Sequence, residues 1–258
     1  TSFICGVATG GTVLLGQYIG AKKHREAGET VGSMIYLFAG LAAVITVLVL
    51  LLDNGIISLL HVPAEAVAPA RAYLRICGIG TVFIVGYNVV SAILRGIGDS
   101  KRPMYFIAIS CILNIFGDLL LVGYFHLGAA GAAIATVAAQ AVSFLCALVT
   151  LYRSGLPFPI GRKPDGQKLG KVMQLGVPVA FQDMLTTLSF IIITVVVNLI
   201  GLSQSAAVGV VERIIGFSMV IPVAFMSALS VFAAQNIGAG QQERAKKGMY
   251  VSILISFG

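Results

Sequence analysis

The stretch MYFIAISCILNIFGDLLLVGY, residues 104–124, is long and apolar enough to cross a lipid bilayer as one helix. A helix rises 1.5 Å per residue, so about 20 apolar residues cover a hydrocarbon core about 30 Å thick. Similar apolar runs recur along the chain, near residues 1–20, 31–52, 72–95, 103–125, 128–151, 172–200 and 205–236, and an eighth begins near 248. The sequence therefore predicts an all-α polytopic membrane protein.

The composition indicates the same fold class. Of the 258 residues, 58% are hydrophobic and 10% are charged, and the mean hydropathy is +0.97, which excludes a water-soluble globule. The apolar runs are continuous and lack the alternating polarity of a membrane β-barrel. The four cysteines lie singly in apolar runs, so neither a disulfide framework nor a cysteine-based metal site is expected.

The basic residues predict the orientation of the chain. The net charge is +7, and 14 of the 17 Lys and Arg residues lie in connections on one side of the predicted membrane. The positive-inside rule places that side in the cytoplasm, so we expect a multi-pass protein of the inner (cytoplasmic) membrane with basic loops inside. Because the basic clusters fall between apolar runs, no nucleic-acid partner is needed to explain the charge.

Three polar side chains interrupt the opening stretch. Ser110, Asn114 and Asp118 are spaced four residues apart, so they form one stripe on a helix. A charge inside a span costs about 2.5–3.5 kcal/mol on insertion scales, and it usually faces a cavity or an ion path. The rise per residue places Asp118 roughly 10 Å below the outer end of its helix. We therefore predict that Asp118, together with Asn114, is the functional centre.

The next span carries a polar face formed by Thr136, Gln140 and Ser143. The short turn between the two helices makes them antiparallel neighbours, which brings Thr136 level with Asp118. Carboxylate, carboxamide and hydroxyl oxygens are hard ligands of the kind that Na⁺ uses, and the same carboxylate could instead carry a proton. Interhelical hydrogen bonds, worth about 0.6 kcal/mol each, are the alternative interpretation of Thr136.

Other polar residues within the spans are candidate substrate contacts or secondary coupling sites. Asp183 is interpreted as a second protonation site or a substrate anchor, or else as a residue beside interior water without a coupling role. Glu212 and Arg213 are adjacent and point in different directions on a helix, so each needs another partner. Tyr87 and Gln140 complete this set. Arg213 is the only basic residue that the sequence places deep within a span.

The turn after the third span has a distinctive composition. Residues 95–103 read RGIGDSKRP, in which the Gly and Pro positions suit a tight turn that a contact between Arg95 and Asp99 could pin. The stretch does not match a phosphate-binding loop. The histidines are scattered, and no Ser/His/Asp or paired-cysteine arrangement is visible, so the sequence favours neither an enzyme nor a bound cofactor.

The longest connection divides the chain. Residues 153–168 are rich in Pro, Gly and basic residues, as expected of a linker between two bundles. We assign residues 1–152 to a first lobe, 153–170 to the linker and 171–258 to a partial second lobe. Gln17-Tyr-Ile-Gly-Ala21 recurs 218 residues later as Gln235-Asn-Ile-Gly-Ala239, and both copies end a span on the basic side. This repeat predicts two lobes related by an axis along the membrane normal.

These motifs together resemble the multidrug and toxic compound extrusion (MATE) family. The resemblance is carried by the repeated Gln-x-Ile-Gly-Ala motif, by Arg95-Gly-x-Gly-Asp99-x-Lys-x-Pro, by Gly176-x-Pro178 and by Asn114-x-x-x-Asp118. It implies a twelve-helix exporter of two six-helix lobes, of which this chain, cut at both ends, covers the second helix to the start of the ninth.

The resemblance also implies roles for individual residues. Asn114 and Asp118 would belong to the cation site of the first lobe, with Thr136 close by and an acidic residue of the absent first helix completing it. One branch of the family has a glutamate in the seventh helix where this chain has Thr186. That difference favours coupling in the first lobe and resemblance to the DNA-damage-inducible branch.

The resulting hypothesis is a monomeric antiporter that uses H⁺ or Na⁺ and no other cofactor. It would export amphiphilic, cationic or aromatic small molecules by alternating access. A flippase for lipid-linked precursors is one rival, although several cationic residues within the spans would be expected to hold a pyrophosphate headgroup, and Arg213 stands alone. A membrane scaffold without transport activity is the other rival, and it would show no substrate-dependent ion flux.

Overall fold

The computed structural model describes residues 2–59, 64–161 and 163–257, with the backbone alone at 59, 64, 198–200, 202–206, 256 and 257. Within these ranges the chain is helical and forms no strand. The helices are α1 (Ser2–Gly20), α2 (His24–Leu51), α3 (Asp53–Leu59), α4 (Val67–Gly96), α5 (Lys101–Asp118), α6 (Gly128–Ser154), α7 (Gly166–Ile200), α8 (Leu202–Ser218), α9 (Val220–Gly238) and α10 (Gln242–Phe257).

Seven helical segments of the described ranges are long and apolar enough to cross a membrane, as the sequence predicted. They are α1, α2, α4, α5 with the residues that follow it, α6, most of α7, and α8 continued by α9. The junction of α8 and α9 falls at Met219, and Pro222 in the first turn of α9 has no N–H to bond the preceding turn. The predicted all-α polytopic fold is confirmed.

Helix α1 connects the two lobes. It packs against α2 and α4 on one side and against α7 and α9 on the other. A Cβ added to Gly6 would overlap the backbone of Ala180, and one added to Gly10 would overlap Gly176. Small residues let membrane helices approach closely and gain van der Waals contact, which is the main attraction between helices in lipid. The interface between α1 and α7 therefore depends on these small residues.

The two copies of the sequence repeat face each other. A Cβ on Gly20 would overlap the carbonyl oxygen of Gln235, and a Cβ on Gly238 would overlap the carbonyl oxygen of Gln17. These contacts are reciprocal because the four residues are related by the same offset of 218 residues. The ends of α1 and α9 thus cross around a local two-fold axis, which is the relation predicted for the lobes.

The two helix ends also terminate alike. The Ala21 N–H donates to the Gln17 carbonyl at 2.9 Å, and the Ala239 N–H donates to the Gln235 carbonyl at 3.0 Å. The next residue is left-handed in both copies, with φ of 57° at Lys22 and 74° at Gly240. Only the second copy has the glycine that this conformation favours.

On the basic side, the connection between α6 and α7 packs onto α2. The Gly161 N–H donates to the Gly28 carbonyl at 2.8 Å, and the Asp165 N–H donates to the Ser33 hydroxyl at 3.0 Å. Phe158 is buried in the same contact. The connection is therefore fixed to the first lobe along much of its length. The proposed domain boundaries stay a prediction, and α7 begins inside the segment assigned to the linker.

On the opposite side, the short helix α3 is tied to α4 by polar contacts. The Arg75 side chain donates from Nε to Oδ2 of the buried Asp53 at 2.7 Å, and the Arg71 guanidinium donates to Oδ1 of Asn54 at 2.8 Å. The hydrogen bond from Arg75 holds the pKa of the Asp53 carboxyl below its usual value. This pair fixes α3 against the N-terminal part of α4.

Candidate functional site

The predicted polar stripe of α5 meets α6 at one hydrogen bond. The Asn114 side chain donates from Nδ2 to the Thr136 hydroxyl at 3.3 Å, and that hydroxyl in turn donates to the Ala132 carbonyl at 2.9 Å. The only hydroxyl proton of Thr136 is therefore donated within its own helix, and the hydroxyl oxygen can act only as an acceptor in the site. The amide oxygen of Asn114 takes no part in this bond. Two of the three predicted cation-site residues are therefore in contact.

Asp118 lies one turn beyond Asn114 and is half-buried. Its Oδ1 atom is buried and has no hydrogen-bond partner among the described residues. A buried carboxylate oxygen without a partner is costly, and such atoms in a native protein call for an explanation such as a bound ion. Tyr73 of α4 lies within electrostatic range of this carboxyl group. The predicted cation site therefore contains a buried acceptor atom without a partner among the described residues.

The backbone changes its geometry directly after Asp118. Residues Leu119–Tyr124 form a π-helix, in which the Phe125 N–H donates to the Leu120 carbonyl at 2.9 Å. π-Helical turns are rare and occur frequently at functional sites, because the extra residue per turn shifts the side chains that follow. Asp118 is the last residue before this shift. No motif in the sequence predicted this π-helix.

The remaining predicted site residues lie apart from this group. Tyr87 is buried, with 8% of its surface exposed, and its hydroxyl donates to the Pro103 carbonyl at 3.1 Å, so it fastens the turn between α4 and α5. Gln140 is half-buried on α6, one turn beyond Thr136 towards the basic side. Glu212 accepts a hydrogen bond from the Thr194 hydroxyl at 3.2 Å and joins α8 to α7.

Asp183 lines a separate cavity, which lies between the two lobes. This interlobe cavity has a volume of about 400 Å³ and is bounded by α1, α4, α7 and α9. Its polar lining is Cys5, Thr9, Thr12, Asn88, Arg95, Gln182, Asp183, Ser227 and Ser230. The structure therefore separates the two carboxylates, with Asp118 between α5 and α6 and Asp183 between the lobes.

Arg95 is the cavity residue that the sequence interpretation missed. Asp99, its expected partner, instead accepts the Arg102 side chain at 3.0 Å and the Arg102 N–H at 3.1 Å, so the predicted contact between Arg95 and Asp99 is wrong. Arg95 lines the cavity and Arg213 is exposed, while the predicted depth of Arg213 within its span stays a prediction. The spacing of seven residues between Asn88 and Arg95, which puts both on one face of α4, was the available signal.

On the basic side of the cavity, α1 and α9 cross at Gly20 and Gly238. The Gln235 side chain donates from Nε2 to the Gly96 carbonyl at 3.1 Å, which links α9 to the last turn of α4.

Comparison with known proteins identifies the family to which this chain belongs. A family model described as MatE matches residues 1–120 and 178–258.

The chain belongs to the MATE family. It is 32% identical to the probable multidrug resistance protein YpnP of Bacillus subtilis (strain 168), over 94% of this chain and 55% of the relative. It is 28% identical to a protein named FAD transporter from Shewanella oneidensis, over 98% of this chain and 58% of the relative. The chain thus spans little more than half the length of these relatives.

Solved structures of MATE transporters have the same fold. The outward-facing conformation of a multidrug resistance MATE family transporter gives a TM-score of 0.90 at 23% identity, over 98% of this chain and 57% of that one. The inward-facing conformation of such a transporter gives 0.73 at 22% identity, over 98% of this chain and 59% of that one. Both comparisons show that the chain shares the fold of these transporters.

Proposed function

We propose that the full-length protein is a cation-coupled antiporter that exports amphiphilic, cationic or aromatic small molecules by alternating access. The observation that supports this most directly is the buried Oδ1 atom of Asp118, which has no partner among the described residues. A membrane-embedded carboxylate in this condition favours uptake of a proton or a cation. Membership of a family with relatives named for multidrug resistance agrees with the proposal.

Asp118, Asn114 and Thr136 would form the coupling site. The Asp118 carboxylate supplies the charge, and the Asn114 carbonyl and the Thr136 lone pairs are neutral oxygens of the type that Na⁺ accepts. Protonation of Asp118 would remove the same charge without any other ligand. In both cases the site has no net negative charge once the ion is bound. The free energy of burying the site between α5 and α6 then changes, which favours either the inward-facing or the outward-facing conformation.

The interlobe cavity would hold the exported molecule. Its volume of about 400 Å³ lies within the range of about 300–1,000 Å³ for small-molecule sites. In this conformation the crossing of α1 and α9 closes the basic side, which we assign to the cytoplasm. Release of the molecule to the opposite side would then precede the return step, for which this crossing has to separate.

The rival functions fit less well. A flippase for lipid-linked precursors would need several cations for a pyrophosphate group, and the described residues that line the cavity include a single one, Arg95. A scaffold without transport activity would not account for an unpaired carboxylate inside the membrane.

The test is efflux by the full-length protein in proteoliposomes, under a pH gradient and a Na⁺ gradient imposed separately. Asp118→Asn keeps the shape of the side chain and removes its charge, so we expect it to abolish gradient-driven efflux of a cationic dye. Glu243→Gln is the matched control, because its carboxylate is 80% exposed in a surface ion pair and should leave efflux unchanged. Unchanged cation-dependent efflux in Asp118→Asn would refute the mechanism.

A further inference from the structure

Arg95 contributes a positive charge to the lining of the interlobe cavity. It lies in the last turn of α4, seven residues after Asn88, so the two side chains share the face of the helix that lines the cavity. Tyr87 of α4 and Cys5 of α1 lie within electrostatic range of Arg95. None of the ion pairs among the described residues includes Arg95.

Most other hydrogen-bond donors at this end of the cavity are already engaged. Thr9 donates to the carbonyl of Cys5, and Thr12 donates to the carbonyls of Ala8 and Ala92 at 3.1 Å each. These hydroxyls offer lone pairs to a ligand and no proton.

Two further lining residues are engaged in part or in full. Of the two N–H groups of the Asn88 amide, one donates to the Ile84 carbonyl at 2.8 Å, and the Ser230 hydroxyl donates to the Ser227 carbonyl at 2.8 Å. A ligand group placed at this end therefore meets Arg95 as the one charged donor among the described lining residues, beside the second N–H of Asn88 and several acceptors. An anion is the kind of group that this arrangement stabilises.

We propose that Arg95 binds the anionic group of the exported molecule, a carboxylate or a phosphate. The proposal rests on the function proposed above and names the substrate class of that cavity. A guanidinium presents a planar fork that matches both anions with two parallel hydrogen bonds. Asp183 lines the same cavity from α7 and gives a cationic group of the same ligand a place to bind. The best ligand is then one that carries both charges.

Binding of a matched dye pair tests this proposal. The first dye is a zwitterionic rhodamine with a free benzoate, and the second is the same rhodamine as its methyl ester, which lacks the negative charge. Hydrogen bonds to charged groups contribute about 1.5–3 kcal/mol, so Arg95→Gln should weaken binding of the acid about 10- to 150-fold. Binding of the ester should change by less than about twofold, since it has no anion to lose.

The measurement is fluorescence polarisation with the full-length protein in nanodiscs. Arg213→Gln is the matched control, because Arg213 is exposed and lies outside the cavity, and it should change the affinity for neither dye. If Arg95→Gln fails to fold, Arg95→Lys takes its place. It keeps the charge and loses the fork, so binding of the acid should still fall more than binding of the ester.

Two results would overturn the proposal: equal weakening of both dyes by the Arg95 variants, or no change in binding of the acid. The binding assay does not depend on ion coupling. If Asp118→Asn did not affect efflux, the antiport mechanism would be refuted. The change in affinity for the acid relative to the ester in the Arg95 variants would still test the role of Arg95 separately.

Discussion

Replacing Gly20 by alanine should shift the protein away from the conformation described above. The added Cβ would overlap the Gln235 carbonyl oxygen where α1 crosses α9. The obstacle is backbone, which cannot rotate away as the end of a flexible side chain can. The two helices have to separate on the basic side to accept the methyl group. Gly238→Ala should act in the same way, because its Cβ would overlap the Gln17 carbonyl oxygen.

The size of the effect follows from the cost of overpacking. Adding one carbon to a well-packed contact costs about 1–3 kcal/mol. If that cost falls only on the conformation with a closed basic side, the equilibrium between closed and open forms shifts about 5- to 150-fold. The relative populations should then change visibly even where the closed form dominates in the wild type.

Spin-label distances on the basic side measure this shift. Arg25 and Glu243 are suitable label sites, since their side chains are 89% and 80% exposed and they are related by the repeat offset. Electron–electron double resonance on the full-length protein, with its native cysteines replaced, should show Gly20→Ala populating longer distances. Gly40→Ala is the control, because nothing lies within 4 Å of the added Cβ. A wild-type distance distribution in both Gly20→Ala and Gly238→Ala would refute the reasoning.

Two further predictions concern stability. Lys22→Gly should raise the free energy of unfolding by about 1 kcal/mol, because glycine adopts the left-handed backbone conformation at this position without steric strain. Gly240 is the equivalent residue of the second repeat copy, and Gly240→Ala should lower the free energy of unfolding for the same reason. Thermal melting of both variants checks this prediction. The contact of Asp53 with Arg75 stabilises the fold above the unfolded pKa of aspartate, about 3.9, and this contribution should be lost as the pH falls through the lower folded pKa. Melting at pH 6 and pH 3 should therefore differ more in the wild type than in Asp53→Asn, and an equal difference would contradict the assignment.

The features that the sequence predicted well depend on local patterns. The spans follow from the length of each apolar run, and the stripe of Asn114 and Asp118 follows from helical periodicity. The short turn between α5 and α6 leaves little freedom, so the level of Thr136 could be predicted, and its hydrogen bond to Asn114 agrees. The repeat was also visible in the sequence, although the mutual contact of its two copies was not.

The features that the sequence did not predict depend on packing between distant segments. Arg95 could have paired with Asp99 by spacing alone, but Arg102 lies three residues from Asp99 on the first turn of α5 and takes that carboxylate. Arg95 is left facing a cavity whose other walls come from α1, α7 and α9. The π-helix after Asp118 likewise has no local sign, since leucines favour an ordinary helix equally well.

The position of α1 has a consequence for synthesis in the cell. This helix has the lowest mean hydropathy of the seven spans, 1.3, and over half of its most apolar window is covered by other helices. Lipid is a poor environment for it alone, yet two of its partners, α7 and α9, emerge from the ribosome only after the whole first lobe has been made. α1 therefore completes its packing only after the first helices of the second lobe have been made.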